Sequence, residues 1–169
     1  MDLTLIISGG ILIGCLIGLS WFAGSDAPYV PTKMNYIRKI LKLSGVKKGK
    51  KFYELGSGDG RVVIEAAKLG VYAIGIEQSW IRVLYSRWKA HGQKGAKAGN
   101  CQFYHGDILK KSYKDADIVY IFLLQKAVNK LEDKLKKELK KGSIVITQTY
   151  HFKNWRPFKK VGDFQLYKS

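Results

Sequence analysis

The sequence predicts an α/β fold: a doubly wound, mainly parallel sheet with helices on both faces, preceded by one membrane-spanning helix. Three observations carry this expectation. From residue 51 onward, short β-type runs alternate with helical periodicities, the rhythm of βαβ units. A glycine-rich turn joins the first of those strands to the helix after it. The chain also opens on one long apolar run that contains no Lys or Arg.

That run, Leu3–Ala23, is uncharged and mainly Leu, Ile and Gly. At ~1.5 Å per residue such a helix is about 31 Å long, which matches a hydrocarbon core of about 30 Å. A cleaved signal peptide wants a basic leader and a shorter apolar core, whereas only Met1 and Asp2 stand before this one. Residues 1–24 are therefore expected to be a retained transmembrane anchor. Lys33, Arg38, Lys39 and Lys42 follow it and only the α-amino group precedes it, so the positive-inside rule puts the following domain on the cytoplasmic or equivalent inner side. Gly10, Gly14 and Gly18 lie four residues apart, a spacing that lets another transmembrane helix approach closely, although glycine is also frequent in single spans.

Gly24 to Pro28 breaks the helix, and residues 25–32 read as a linker containing Pro28-Tyr29-Val30-Pro31. The remainder, 33–169, reads as one domain. Thr32 is placed to cap a helix reaching Leu43, with Met34, Ile37, Ile40 and Leu41 on one face and Gly45 ending it. The alternation then runs through a strand at Lys51–Leu55, a helix at Gly60–Leu69 and a buried strand at Val71–Ile76. A helix at Ser79–Gly92 bears Trp80, Leu84 and Trp88, and a short strand follows at Gln102–His105. Ile118–Leu123 is an uncharged strand, Val128–Leu139 a charged amphipathic helix, Ser143–Thr147 a fifth strand and Phe164–Tyr167 an edge strand. Lys94–Gly99 reads as a small basic loop.

Charge is unevenly placed. The 169 residues carry a formal +17, but all 30 basic residues lie in 33–169 with 11 of the 13 acids, giving that part +19. Such a charge suits nucleic acid or anionic lipid. Lys33–Lys51, beside the span, holds eight basic residues and no acid and reads as lipid-facing; a lysine-rich composition with no local purpose accounts for it equally well. Cys15 lies within the apolar run and Cys101 in the domain, which argues against a disulfide. His91, His105 and His151 are scattered without metal-ligand spacing.

The informative stretch is Glu54-Leu55-Gly56-Ser57-Gly58-Asp59-Gly60-Arg61. Glycines there let the chain turn tightly and approach a ligand, whose negative group meets free N–H groups of the next helix. A dinucleotide fingerprint would need glycine at 61, where arginine stands, and no Lys-Ser/Thr follows to make a phosphate loop. An acidic residue followed by G-x-G-x-G is the class I methyltransferase pattern. S-adenosylmethionine carries a carboxylate and an ammonium in place of a pyrophosphate, and N–H donors with the Glu54 carboxylate suit that zwitterion. Glu77 ends the next strand, where an acid can accept both ribose hydroxyls. Asp107, after the following strand, falls where the adenine amino group would lie. The expected cofactor-binding set is Glu54, Gly56, Gly58, Asp59, Gly60, Glu77 and Asp107.

With the apolar N-terminus, PYVP, ELGSGDGRVV, Gly106-Asp107 and the LEDKL run at 131–135 in view, the chain resembles the small membrane-anchored seven-strand protein lysine methyltransferases. These include the mitochondrial enzymes acting on the ATP synthase c-subunit and the adenine nucleotide translocase, and archaeal relatives. The resemblance implies S-adenosylmethionine as cofactor, a protein substrate with an accessible, membrane-embedded lysine, and Tyr29 near the methyl-transfer site. Family members usually carry Asp where Glu54 stands. Ile121-Phe122-Leu123-Leu124 replaces the Asn-Pro-Pro-Tyr of many amide and nucleobase methyltransferases, which weakens a base-modifying role; a lipid, quinone or other small-molecule acceptor is the alternative.

Methyl transfer is a displacement at an activated sulfonium, so the protein mainly aligns nucleophile and methyl. A lysine nucleophile must be neutral, a form only about one in 2,500 at pH 7, a cost of roughly 4.6 kcal/mol from a pKa near 10.4. An aromatic channel would reduce that cost by desolvation, with Tyr29, Tyr120, Phe122, Tyr150 and Trp155 as candidate walls. The sequence shows no general base.

Overall fold

A computed structural model describes residues 2–23, 28–93 and 100–169. The first linker residues, 24–27, and the basic loop 94–99 lie outside the described residues. Helix α1 (Leu3–Ala23) is followed by α2 (Met34–Leu43), β1 (Lys51–Leu55), α3 (Arg61–Lys68), β2 (Tyr72–Glu77), α4 (Trp80–His91) and β3 (Cys101–His105). Then come β4 (Ile118–Ile121), α5 (Gln125–Glu138), β5 (Ile144–Gln148), β6 (Lys159–Val161) and β7 (Phe164–Lys168).

The seven strands lie in the order β3-β2-β1-β4-β5-β7-β6. The first five neighbours pair in parallel, and β7 runs antiparallel to both β5 and β6. Chain order reverses between β1 and β4, the switch point outside which ligands bind in such sheets. One apolar cluster joins α2, α3 and α4 to one face through Phe52, Tyr120 and Ile146. The other joins α5 to the opposite face through Leu55, Val119, Ile121 and Val145.

Several local expectations change. Thr32 makes no cap hydrogen bond: the backbone of Lys33 occupies that position. Thr32 is buried, with its hydroxyl 3.4 Å from the Tyr120 hydroxyl. Met34 is exposed, so the buried stripe of α2 is Ile37, Ile40 and Leu41. The strand expected to reach Leu123 stops at Ile121, and α5 begins three residues earlier than expected, at Gln125. Phe164–Lys168 is an inner strand, because β6 covers its other side as the true edge. Lys-Lys-Val is too short and too charged for alternation to mark it.

Asp2 caps α1, taking the Thr4 N–H and the Thr4 hydroxyl. Among the described residues no helix is long and apolar enough to cross a membrane. The α1 backbone runs Leu3–Ala23, but its side chains are described only to residue 19. The described residues therefore do not support the expected transmembrane anchor. A Cβ added at Gly10, Gly14 or Gly18 would meet nothing within 4 Å, so no second element among the described residues lies on that glycine face.

Candidate active site

The turn after β1 is built from backbone that only glycine adopts without strain. Gly56, Gly58 and Gly60 all have positive φ, at 79°, 53° and 75°. Their neighbours also leave no room for side chains. A Cβ at Gly56 would lie 2.7 Å from Leu123 Cδ2, one at Gly58 2.9 Å from Tyr29 Cε2, and one at Gly60 2.6 Å from the Phe103 ring. The Gly56 and Ser57 N–H groups bond to the Ile76 carbonyl, which locks the turn onto the end of β2.

Glu77, buried at the end of β2, receives the Gly58 N–H at 2.9 Å on one oxygen. Its other oxygen takes the Ser79 N–H at 2.9 Å and sits 3.4 Å from the buried Arg82 guanidinium. The same carboxylate thus fixes the glycine loop and the start of α4. Glu54, on the neighbouring strand β1 and paired in register with Gly75, two residues before Glu77, is also buried. It accepts a hydrogen bond from the Val63 N–H, one of the donors that the first turn of α3 leaves unpaired. Its Oε2 has no partner among the described residues. Burial, then the neighbouring Asp59 and Glu77 charges, pushes the Glu54 carboxyl well above the usual range. The Ser57 hydroxyl is likewise buried without a partner among the described residues.

Asp59, expected in the cofactor set, is ion-paired within the loop. Its carboxylate is engaged by Arg61 through Nε and Nη2 and by Lys89 at 2.9 Å. Burial alone would raise its pKa, but these two cations win and hold it below the usual range. Asp107 is exposed after β3, and its Oδ1 accepts the Leu109 N–H at 2.8 Å.

Tyr29 lies on the glycine loop. Its ring covers Gly58, the Arg82 guanidinium sits 5.0 Å from the ring centroid, and its hydroxyl bonds to Arg61. Arg61 also reaches the Thr32 carbonyl, so one guanidinium ties the segment around PYVP to Asp59. Sequence reasoning missed the ion-pair roles of Arg61, two residues from Asp59, of Arg82, five residues from Glu77, and of Lys89 on α4, because no local pattern marks which carboxylate each cation meets. Of the other aromatic candidates, Tyr120 is fully buried and donates to Gln148 Oε1 at 2.7 Å. Trp155 packs with Phe152 and Tyr167, and Phe122 packs against the α2–α3 core. Tyr150 is exposed after β5, next to Thr149, which holds a φ of 65° with its hydroxyl on Asp163.

The strand order and the glycine turn at the switch point define a class I methyltransferase fold. An RNA methyltransferase from Salinibacter ruber, solved with S-adenosyl-L-homocysteine, superposes with a TM-score of 0.74 at 29% identity, covering 82% of this chain and 92% of that one. The chain belongs to the ANTKMT methyltransferase domain family, whose model matches residues 54–159.

Among curated relatives, the human lysine N-methyltransferase of the ATP synthase c-subunit is 35% identical over 136 residues, 80% of this chain and 57% of that protein. A protein-lysine N-methyltransferase of Saccharolobus islandicus is 33% identical over 77% of this chain and 81% of its own length. The mouse adenine nucleotide translocase lysine N-methyltransferase is 34% identical over 82% of this chain and 59% of its own. The match thus spans less than two thirds of the mammalian relatives.

Proposed function

We propose that this chain transfers the methyl group of S-adenosylmethionine to the Nζ of a lysine in a protein substrate at a membrane. The observation that carries this reading is the loop itself. Three glycines too tightly packed for any side chain lie between a carboxylate with an unpartnered buried oxygen, Glu54, and a ring laid over the loop, Tyr29. The relatives named as lysine methyltransferases support lysine as the acceptor.

S-adenosylmethionine supplies a methyl already activated on its sulfonium. The residues of this chain bind and orient. Glu54 offers its free oxygen to an ammonium, the loop at Gly56, Gly58 and Gly60 offers backbone, Glu77 faces ribose hydroxyls and Asp107 the adenine amino group. Asp59 holds the loop rather than the cofactor. Tyr29 sits between loop and acceptor, whose lysine enters over the ends of β4 and β5, where Phe122, Leu123 and Tyr150 come out.

The Glu54 carboxyl gives this reading a pH signature. Folding raises its pKa, so the folded chain holds that proton more tightly than the unfolded chain. Stability therefore falls as pH rises from the ordinary glutamate range of about 4.3 towards the folded value. An ammonium placed against Oε2 favours the ionised form, so cofactor binding should release up to about one proton. Calorimetry in buffers of different ionisation enthalpy measures this. Glu54→Gln should remove the release; binding with no proton linkage in the native chain would put the ammonium elsewhere.

Membrane attachment through α1 is part of the same proposal, supported by a 21-residue helix whose leucines and isoleucines stand half to two-thirds exposed. It places the domain on the cytoplasmic or equivalent inner side, with Lys33–Lys51 against anionic lipid and the Gly10/Gly14/Gly18 face open to a partner helix. Deleting residues 1–24 should leave cofactor affinity unchanged. Activity should drop far more on a membrane-embedded substrate than on a solubilised peptide, because anchoring acts through effective concentration. Equal losses on both would mean that the segment shapes the active site.

RNA methylation is the second reading, favoured by the charge and by the Salinibacter ruber neighbour. The residues after β4, Phe122-Leu123-Leu124, give a nucleobase amide no polar partner, which leaves protein lysine ahead.

A further inference from the structure

The exposed face of α4 is apolar and aromatic. Trp80, Leu84 and Trp88 follow one another at four-residue spacing and are 56%, 57% and 72% exposed, while the buried side of the helix is Arg82, Val83 and Ser86. Tyr85 lies beside Trp88, with ring centroids 5.8 Å apart, and Tyr104 on the adjoining edge strand β3 is also exposed. A patch of this kind marks a surface that meets something.

We propose that this face rests in the headgroup region of an anionic bilayer, so that the domain meets the membrane through α4 as well as through α1. The chemistry around it favours lipid over a second copy of the chain. Trp and Tyr combine an apolar body with a polar edge and concentrate at membrane interfaces. The helix carries Arg87, Lys89 and His91 and no acid. Lys111 stands over the Tyr104 ring, a cation that reaches phosphate while its stem stays on the aromatic surface, and Lys89, ion-paired with Asp59, borders the Tyr85 ring. A copy of a chain with net charge +17 would bring like charge to this surface, whereas anionic lipid brings the opposite sign. The patch is also continuous with the apolar helix, because α1 lies against α4.

The docking turns the carboxyl ends of the sheet to a fixed height above the bilayer and restricts substrates to lysines at that height. Tryptophan emission of the full chain in vesicles of phosphatidylcholine and phosphatidylglycerol tests this, using lipids brominated near the headgroup as quenchers. The Trp80→Phe/Trp88→Phe variant supplies the background from Trp21 and Trp155. Brominated lipid should remove most of the emission owed to Trp80 and Trp88, and aqueous iodide should not reach it. Emission unaffected by brominated lipid would overturn the proposal in either form: open to iodide, the face is free, and shielded from iodide, another protein surface covers it. The readout is independent of methyl transfer.

Discussion

Replacing Gly58 by valine should abolish S-adenosylmethionine binding and leave the fold standing. The backbone there has φ 53°, a left-handed conformation that costs a side-chain-bearing residue about 1–2 kcal/mol, and a β-branched one at least as much. A Cβ would also press on Tyr29 at 2.9 Å. Tyr29 is only partly buried, so the contact should be taken up at its ring and the stability loss should stay small against the roughly 5–15 kcal/mol of a domain. Binding has no such escape, because a cofactor held by loop backbone meets the isopropyl group directly. Gly45→Ala is the control: its φ of 59° imposes similar strain, but nothing lies within 4 Å, and cofactor affinity should not change. Calorimetry showing native affinity for Gly58→Val would remove the loop from the site.

Glu77→Ala should have two separable effects. Its carboxylate is the counter-charge of Arg82, which is only 3% exposed, and truncating one partner of a buried pair costs about 3–5 kcal/mol. Lost cofactor hydrogen bonds should add a weakening of ~1–3 kcal/mol in binding. Denaturant unfolding of the apo chain reads the first and calorimetry the second. Glu77→Ala/Arg82→Met should recover much of the stability and none of the affinity. If affinity returned together with stability, Glu77 would be a support for α4 and not a partner of the ribose.

Most strand positions were legible because the inner parallel strands are buried on both faces and read as largely apolar runs, with IVYI the clearest. The loop was legible because three glycines at alternate positions, between an acid and an arginine, suit a tight ligand-facing turn and little else. What the sequence hid depends on tertiary partners. The Trp80–Leu84–Trp88 stripe has the spacing of a core face and lies outside, because Val83 and Ser86, on the opposite side, fit more closely against the sheet. Asp59 was marked by its place in the loop, but its cation partners Arg61 and Lys89 were not. Thr32 resembled a cap, yet its hydroxyl meets Tyr120, 88 residues away, a contact no local pattern encodes.

Lysine methylation at a membrane is tested most directly by following the methyl group. The full chain, incubated with methyl-labelled S-adenosylmethionine and membranes of its own source, is separated into protein, lipid and RNA, and labelled protein is digested and mapped. Label is expected in protein, recovered as Nζ-methyllysine from a membrane-embedded chain and lost with Gly58→Val. Label recovered in lipid or RNA, with none on lysine, would contradict the proposed function.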